Sequence, residues 1–569
     1  MTPDRYIRAA PSVLTLLLVL VLGAGGALGP AQAAPLQAIE GFNILLGRPT
    51  DDSITVNVIP DQSGDISFEY GTVSGVYGSH TDAISCTVDE PVEVVIDGLT
   101  SNTRYYYRLR FRAAGGDPWT AGGEHSLHTQ RAPGSTFTFT VISDSHMNGG
   151  GGVVSLYQQT LANVAAENPD FHFDLGDTAW TDGVTTASAA NQRYLAQRQY
   201  MGTISHSASI FVATGNHENE EGWNLDDTNS IALLSINARK LYCPNPIPDS
   251  FYTGNPDVSV TGISGDHLRE DYFAWQWGNA LFVFIDPYQY TLIKPFAGTA
   301  GGEVNDETPI GDRWSWTLGQ QQFNWFKETL EDSDATFKFV FAHHMVGGSY
   351  DYVRGGAGPA HMFEWGGYNI DGFTWGFDAE RPGWGDDPIH QLMIDNGVSA
   401  FFHGHDHEYA YEERDGVVYQ LVPAPSMTGY GFGLYSEDDP YTIRVLPDPG
   451  HLRVTVSPSQ ATVDYVATSS GEVNYYYTIE AAPEPSILGG VDGDDLVNST
   501  DALIILSCDA GIDTSQFCPM NCGDVNDDGL VNSTDALIIL SYDVGMTVPY
   551  AVGEAGCPSG VTPCSGCVL

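Results

Sequence analysis

The chain has 569 residues, with 22 Lys and Arg against 72 Asp and Glu and a formal net charge of −50. That length is several times a usual single domain, so roughly two to four domains are expected, and 42% hydrophobic with 11% aromatic residues excludes a mostly disordered chain. So large a negative charge argues against nucleic acid or anionic lipid as a partner, because polyanions repel.

The first residues set the expected compartment. Arg5 and Arg8 precede a run of mostly Leu and Val over 13–22, and Ala31-Gln32-Ala33 supplies a small-x-small cleavage site. Residues 1–33 therefore read as a secretory signal peptide. The apolar run is shorter than the ~20 residues a bilayer span needs, and no later segment is long and apolar enough, so the mature protein is expected to be extracellular, without a membrane span. Six of the eight cysteines (Cys508, Cys518, Cys522, Cys557, Cys564 and Cys567) crowd the last stretch. In an exported chain they read as disulfides whose pairing spacing alone does not give. Cys564-x-x-Cys567 has no second pair or nearby His at zinc-ligand spacing.

Residues 36–130 read as a β-sandwich, with strands over 54–59, 92–96 and 104–112, the last alternating Tyr, Leu and Phe with Arg. The stretch Ile96-Asp97-Gly98-Leu99-Thr100-Ser101-Asn102-Thr103-Arg104-Tyr105 resembles the corner before a late strand of fibronectin type III modules. There a Tyr hydroxyl ties back to the backbone upstream, in a domain that serves as scaffold. Gln130 to Ser135 reads as a linker.

Residues 136–480 change to strand, loop and helix. Strands are expected over 137–142, 171–175, 209–213, 281–285, 337–342 and 398–402, and helices over 153–168, 189–204, 320–330 and 389–396. Such alternation predicts an α/β domain, a sandwich of β-sheets flanked by helices. Residues 417–479 return to a β pattern that completes the sheets. Two Gly-, Trp-, Asn- and Asp-rich inserts, 219–272 and 345–387, read as loops over a functional site.

Chemistry-bearing residues follow strand after strand: Ser143-Asp144-Ser145-His146, Gly176-Asp177, Gly215-Asn216-His217-Glu218, His343-His344 and Gly404-His405-Asp406-His407. All are expected at the carboxyl edge of one sheet, where open α/β folds place ligands. Mixed imidazole and carboxylate ligands suit metals of intermediate hardness, and ~3.5–4 Å between two ions lets one carboxylate bridge them and a water be activated for attack on phosphorus.

These residues resemble the calcineurin-like metallophosphoesterase superfamily, whose pattern runs D-x-H, G-D, G-N-H-[DE], H and G-H-x-H. With the preceding sandwich the chain is most similar to a purple-acid-phosphatase-type branch. The resemblance implies Asp144, His146 and His407 on one metal, Asp177 bridging, and Asn216, His343 and His405 on the second. His217 would contact the phosphate and protonate the leaving oxygen. The family's Val-x-x-His spacing at Val340 picks His343 over His344. His361 stands where plant-like members carry a further substrate-contacting His. Purple members have G-D-x-x-Y, whose Tyr binds ferric iron, and Gly at the place of His146. Here Gly176-Asp177-Thr178-Ala179-Trp180 puts an indole there, so two divalent ions are expected ahead of a mixed-valence iron pair, drawn from metals such as Fe, Zn or Mn. His403 reads as a structural partner and Arg354 as a solvated loop residue, while Trp365, Trp375 and Trp384 line a cleft or pin the insert.

Residues 481–486 read as a linker. Beyond it, the segment 496–507 recurs identically at 530–541, an internal duplication over 487–548. Asp524, Asn526, Asp528, Asn532 and Asp535 fall at positions 1, 3, 5, 9 and 12 of an EF-hand-type calcium loop, with Gly529 at 6 and the Leu530 carbonyl at 7. The first copy keeps Asp492, Asp494, Asn498 and Asp501, but Gly490 takes position 1 and Asp495 position 6. Two such loops, each with one trailing helix, resemble a type I dockerin, which implies a cohesin domain on a scaffold protein as partner. The family's recognition pairs match Ser499-Thr500 and Ser533-Thr534. Residues 549–569 form a Cys-containing tail.

The expectation is a secreted binuclear metal-dependent phosphomonoesterase, acid-phosphatase-like, held in a surface complex by its dockerin. The rival readings are a phosphodiesterase or nucleotidase using the same site, or a non-catalytic binding module on the scaffold.

Overall fold

The computed structural model describes residues 41–569 apart from 117, 148–150, 226–229, 295–312, 348–354, 429–435, 437–438, 482–486, 494–495, 513, 515–516, 518–519, 555, 559–560, 563 and 568–569. The expected leader over 1–33, Arg354, most of the second linker, Asp494, Asp495 and Cys518 lie outside the described residues.

The N-terminal region is a β-sandwich. Asn43–Gly47, Ile54–Ile59 and Val92–Ile96 form one antiparallel sheet, and Gly64–Gly71 pairs with Arg104–Ala113 at the centre of the other. The pleat turns successive side chains to opposite faces. Tyr105, Tyr107, Leu109 and Phe111 therefore meet Val56, Val58, Ile66 and Phe68 in the core, while the intervening Arg side chains face outward. The Tyr105 hydroxyl accepts the Thr100 N–H at 2.9 Å, closing the expected corner. Buried Arg198, on the helix Ala187–Ser205, ties this sandwich to the next domain through Asn43 Oδ1 at 2.8 Å and Asn57 Oδ1 at 2.7 Å.

The central domain is the expected α/β sandwich of β-sheets flanked by helices, but it corrects the placing of all the motif residues at the edge of one sheet. Phe137–Ile142, Phe171–Asp174 and Ser209–Val212 are parallel, and Gly450–Val456, Gln460–Ala467 and Val473–Glu480 extend them antiparallel. A second sheet holds Ala280–Phe284, Phe337–Phe341, Ala400–His403 and Val417–Leu421 in parallel, flanked by Phe273–Trp277 and Tyr409–Arg414. The two stack face to face over an aromatic core that includes Phe139, Phe173, Phe211, Trp275, Phe282, Phe341 and Phe402. Outside them, Tyr157 and Leu161 of the helix Val154–Glu167 cover Ile142, and Phe323, Phe326 and Leu392 of the helices Gly319–Glu331 and Ile389–Asp395 cover Val283, Val340 and Phe401. The result is four layers, helix–sheet–sheet–helix.

The insert over 219–272 also differs from a plain loop. It folds a helix, Ile231–Tyr242, capped by the Ser230 hydroxyl on the Leu233 N–H. Leu233, Ile236 and Ala238 are buried, and Arg239 forms a buried ion pair with Glu220 at 3.0 Å.

The C-terminal duplication forms two helices, Ser499–Asp509 and Ser533–Asp543, that meet through Ala502, Ile505, Ala536 and Ile539. Each begins at an Asn cap with a reciprocal Asp, Asn498 with Asp501 and Asn532 with Asp535, so two orphan N–H groups are satisfied at each start. Disulfides join Cys508 to Cys564 and Cys522 to Cys557; Cys86 and Cys243 are free and buried. Among the described residues no helix is long and apolar enough to cross a membrane.

Candidate metal centre

The motif residues converge from the carboxyl edges of both sheets. Asp144, His146, Asp177 and Asn216 follow strands of the first sheet, and His343, His405 and His407 follow strands of the second. The backbone must turn sharply to aim them inward. Asp144, His146, Asp177, His405 and His407 all have φ between 47° and 73°, a left-handed conformation costly for non-glycine residues and concentrated at functional sites. Cross-bracing holds these turns: the Asp144 N–H donates to the Gly176 carbonyl at 2.9 Å, His146 N–H to the Asp177 carbonyl at 3.0 Å, and His405 N–H to Asp144 Oδ2 at 2.7 Å.

Glu218 is the brace beneath. Its buried carboxylate accepts four backbone N–H groups, from Asp177, Thr178, Ala179 and Gly215, each at 2.8 Å. Two ligand-bearing turns are thus fastened to one side chain. Sequence reasoning passed over this role, although the residue closes the Gly-Asn-His-Glu motif.

The ligand atoms crowd together. His146 Nε2 lies 3.6 Å from Asp144 Oδ1 and 3.4 Å from Asp177 Oδ2. His407 Nε2 lies 3.4 Å from Asp144 Oδ1, and His343 Nε2 lies 3.3 Å from Asp177 Oδ2. His343 Nε2 is also 3.2 Å from both Asn216 Oδ1 and His405 Nδ1. Two groups of three ligand atoms result, Asp144 with His146 and His407, and Asp177 with His343 and His405, each within 4.8 Å of one another. Asp177 also groups with His146 and His217, which places it between the two halves. The His343 Nδ1 sits 2.8 Å from the Leu175 carbonyl, which fixes that nitrogen as donor and leaves Nε2 its lone pair.

These residues fit a pair of metal ions. Asp144 Oδ1, His146 Nε2 and Asp177 Oδ2 are buried yet have no hydrogen-bond partner among the described residues, a cost that a cation would remove. Burial pushes the Asp144 and Asp177 carboxyls up, but the facing His407 and His343 hold both well below the ordinary carboxylate range. Burial opposes charge on the imidazoles, yet the two carboxylates push His146 up to about 10 and His343 to about 9. The cradle therefore gathers positive charge, and imidazole, carboxylate and carboxamide donors suit first-row metals.

His217 stands at the mouth, its side chain 26% exposed and its Nε2 4.0 Å from Asp177 Oδ2. Its Nδ1 lies 2.9 Å from Asp182 Oδ2, a partner that no spacing rule singles out. Trp180 stacks on the same ring. His344 turns away, its Nε2 bonded to the Tyr288 hydroxyl at 2.6 Å, and His403 is buried against Phe401. Trp365 and Trp384 join the core outside the second sheet.

His361 is not brought to the centre. Its Nδ1 lies 2.9 Å from the Gly358 carbonyl and 3.3 Å from Arg414 Nη1. Arg414 pairs with Val417, one residue before the register Ala400↔Val418. That hairpin marks the amino edge of the sheet, four strand residues or about 13 Å from the edge that carries His405. A histidine's place in an insert is not set by its distance along the chain.

Residues 137–409 match the family model for calcineurin-like phosphoesterases. No curated protein matches the chain by sequence. Among solved structures, purple acid phosphatase PPD1 from yellow lupin (Lupinus luteus) seeds is similar at 16% identity and a TM-score of 0.50, over 77% of this chain and 74% of that one. PhoD is similar at 16% identity and a TM-score of 0.52, over 77% and 88%. At such identity these likenesses speak for the fold. With the family match over its ligand-bearing strands, the chain carries a calcineurin-like phosphoesterase domain and is a hydrolase of phosphate esters.

Proposed function

We propose that this protein is a secreted phosphomonoesterase that works with two divalent metal ions. The observation that carries the reading is the convergence of Asp144, His146, Asp177, Asn216, His343, His405 and His407 on one buried cradle. Metal ions held there would supply Lewis acidity and an activated water. Asp177 bridges the two halves. Asn216 and His217 hold phosphoryl oxygens at the mouth, and His217, oriented by Asp182, passes a proton to the leaving oxygen. His146 replaces the phenolate that Trp180 cannot provide, which favours two divalent ions.

Export is supported by the leader-like residues 1–33 and by the disulfides of the tail. The duplicated C-terminal helices support a dockerin that binds calcium and docks on a cohesin. In the second loop Asp524 Oδ2 accepts the Gly529 N–H at 2.8 Å, and Gly529 takes φ +83°, the turn such loops require at position 6. The Ser-Thr pairs open both helices, where a partner would meet them.

The deciding experiment measures hydrolysis of p-nitrophenyl phosphate and bis-p-nitrophenyl phosphate by the metal-loaded protein and its Asp177→Asn variant. The monoester should turn over faster, and the substitution should cost at least about a hundredfold. A faster diester moves the reading to a phosphodiesterase. Full metal occupancy without turnover of either ester sinks it.

A further inference from the structure

A second cavity of about 580 Å³ opens at the amino edge of the second sheet, lined by none of the metal ligands. Its size is that of a small-molecule site. Tyr368, Trp375, His361, Arg414, Asp386 and Asp387 line it, and its floor is built rather than incidental. The indole of Trp375 lies against Gly367, where an added Cβ would come within 2.2 Å of the ring, so only glycine admits it. Tyr368 meets that indole edge-on with centroids 5.3 Å apart. The turn that delivers Trp375 is stiff: Asp371 Oδ1 accepts the Phe373 and Thr374 N–H groups at 2.9 and 2.8 Å, and Asn369 Oδ1 accepts the Trp314 indole N–H at 2.9 Å. Trp375 nonetheless stays 41% exposed, and Phe373 on the same turn 87%.

The polar wall carries both kinds of hydrogen-bonding group. Asp386 and Asp387 have no partner among the described residues and offer four acceptor oxygens. Arg414 is bound to the Ala357 and Gly358 carbonyls at 2.8 and 3.1 Å and to Asp415 at 3.3 Å, which leaves the wall net negative. Phosphate is thereby repelled, and an ammonium, which has donors but no acceptor, leaves the Arg414 donors unused. A neutral ring with many hydroxyls uses every feature: its C–H face lies on the indole and its hydroxyls donate to the carboxylates and accept from Arg414.

We propose that this cavity is a binding site for a neutral carbohydrate, separate from the phosphoesterase centre. The site holds the protein on a glycan while the metal centre acts on other molecules. The inference does not depend on which phosphate ester is cleaved.

The test is calorimetric titration of the full chain with cellotetraose, xylotetraose and mannotetraose, alongside spermidine and inorganic phosphate, with Trp fluorescence as a second readout. At least one tetrasaccharide should saturate, and Trp375→Ala should weaken it at least about tenfold. The double variant Asp386→Asn, Asp387→Asn, at surface positions that tolerate the change, should weaken it likewise. Asp177→Asn should bind as the parent does, and Trp375→Ala should leave ester hydrolysis unchanged. The proposal is overturned if no tetrasaccharide saturates by about 10 mM, if spermidine or phosphate is the only binder, or if both cavity variants bind like the parent.

Discussion

The indole of Trp180 lies flat on the imidazole of His217, with ring centroids 3.6 Å apart and planes 16° from parallel, and it also touches His146 at 4.8 Å. Trp180 thus serves as a platform for the histidine at the mouth. Trp180→Ala should free that ring to rotate and lower kcat on an aryl phosphate about tenfold, with both metal ions retained. Kinetics paired with metal analysis reads this. Because indole forms no phenolate charge-transfer complex, the iron-loaded protein should show no visible band; a band that disappears with a Tyr substitution would redraw the ligand set.

Asp182 holds the other side of the same imidazole. With its carboxylate at 2.9 Å from Nδ1, it fixes the tautomer that leaves Nε2 free on the side of Asp177, 4.0 Å away. Asp182→Asn should lower kcat roughly 10–100-fold with little change in KM. An unchanged kcat would remove Asp182 from the mechanism.

Glu218→Gln puts an amide NH2 where an oxygen now accepts two N–H groups. The stranded donors should cost about 2–4 kcal/mol, and the turns carrying Asp177 and Asn216 should loosen. A thermal melt of the metal-free protein and a metal titration check both effects; weaker metal binding without loss of stability would contradict the bracing role.

The contact between the N-terminal sandwich and the central domain should respond to acid. His125 packs against His206 with ring centroids 4.4 Å apart and planes tilted by 31°, beside Tyr107 and Glu124. Burial lowers His125 from 6.5 to about 4, and burial lowers His206 as well. Between those values the unfolded chain takes up a proton that the native state refuses. Stability should therefore fall as pH drops from about 6.5 to about 4 and level off below. His125→Phe, which keeps a ring and removes the titration, should flatten that slope in melting temperatures measured across the range.

On the proposed dockerin reading, the two loops of the C-terminal duplication should bind calcium unequally. In the second, burial and the charges of Asp524 and Asp528 push the Asp535 carboxyl up, and Asp524, Asp528 and Asp535 offer three carboxylates. In the first, Gly490 contributes no carboxylate. Calcium should bind in two separated steps, and Asp528→Ala should abolish the tighter one and weaken capture by a cohesin. Two equal sites by calorimetry, or a tight site that survives the substitution, would refute this.

Much of the centre is legible in the sequence because its ligands sit directly after apolar strands. A run such as Phe337–Phe341 announces a buried strand, and a Gly-His or Gly-Asp step at its end announces a turn aimed at a ligand. The Tyr105 corner and the duplicated C-terminal helices are equally local patterns. Glu218 lies within a legible motif, yet its four N–H bonds depend on how two loops meet, and sequence does not state that.

The sequence by itself determined most strands of the central domain, the helices that flank them, their order and the imidazole and carboxylate residues at the strand ends, because strand periodicity and strand-end residues are properties of neighbours in the chain. Only the tertiary structure decided that the ligands come from two stacked sheets. A strand buried on both faces reads alike whether a helix or a second sheet covers it. Only the tertiary structure moved His361 to a separate cavity beside Trp375, and joined Trp180 and Asp182 to His217. Those pairings are made by loops closing in space, where contact follows the path of the backbone rather than spacing along it.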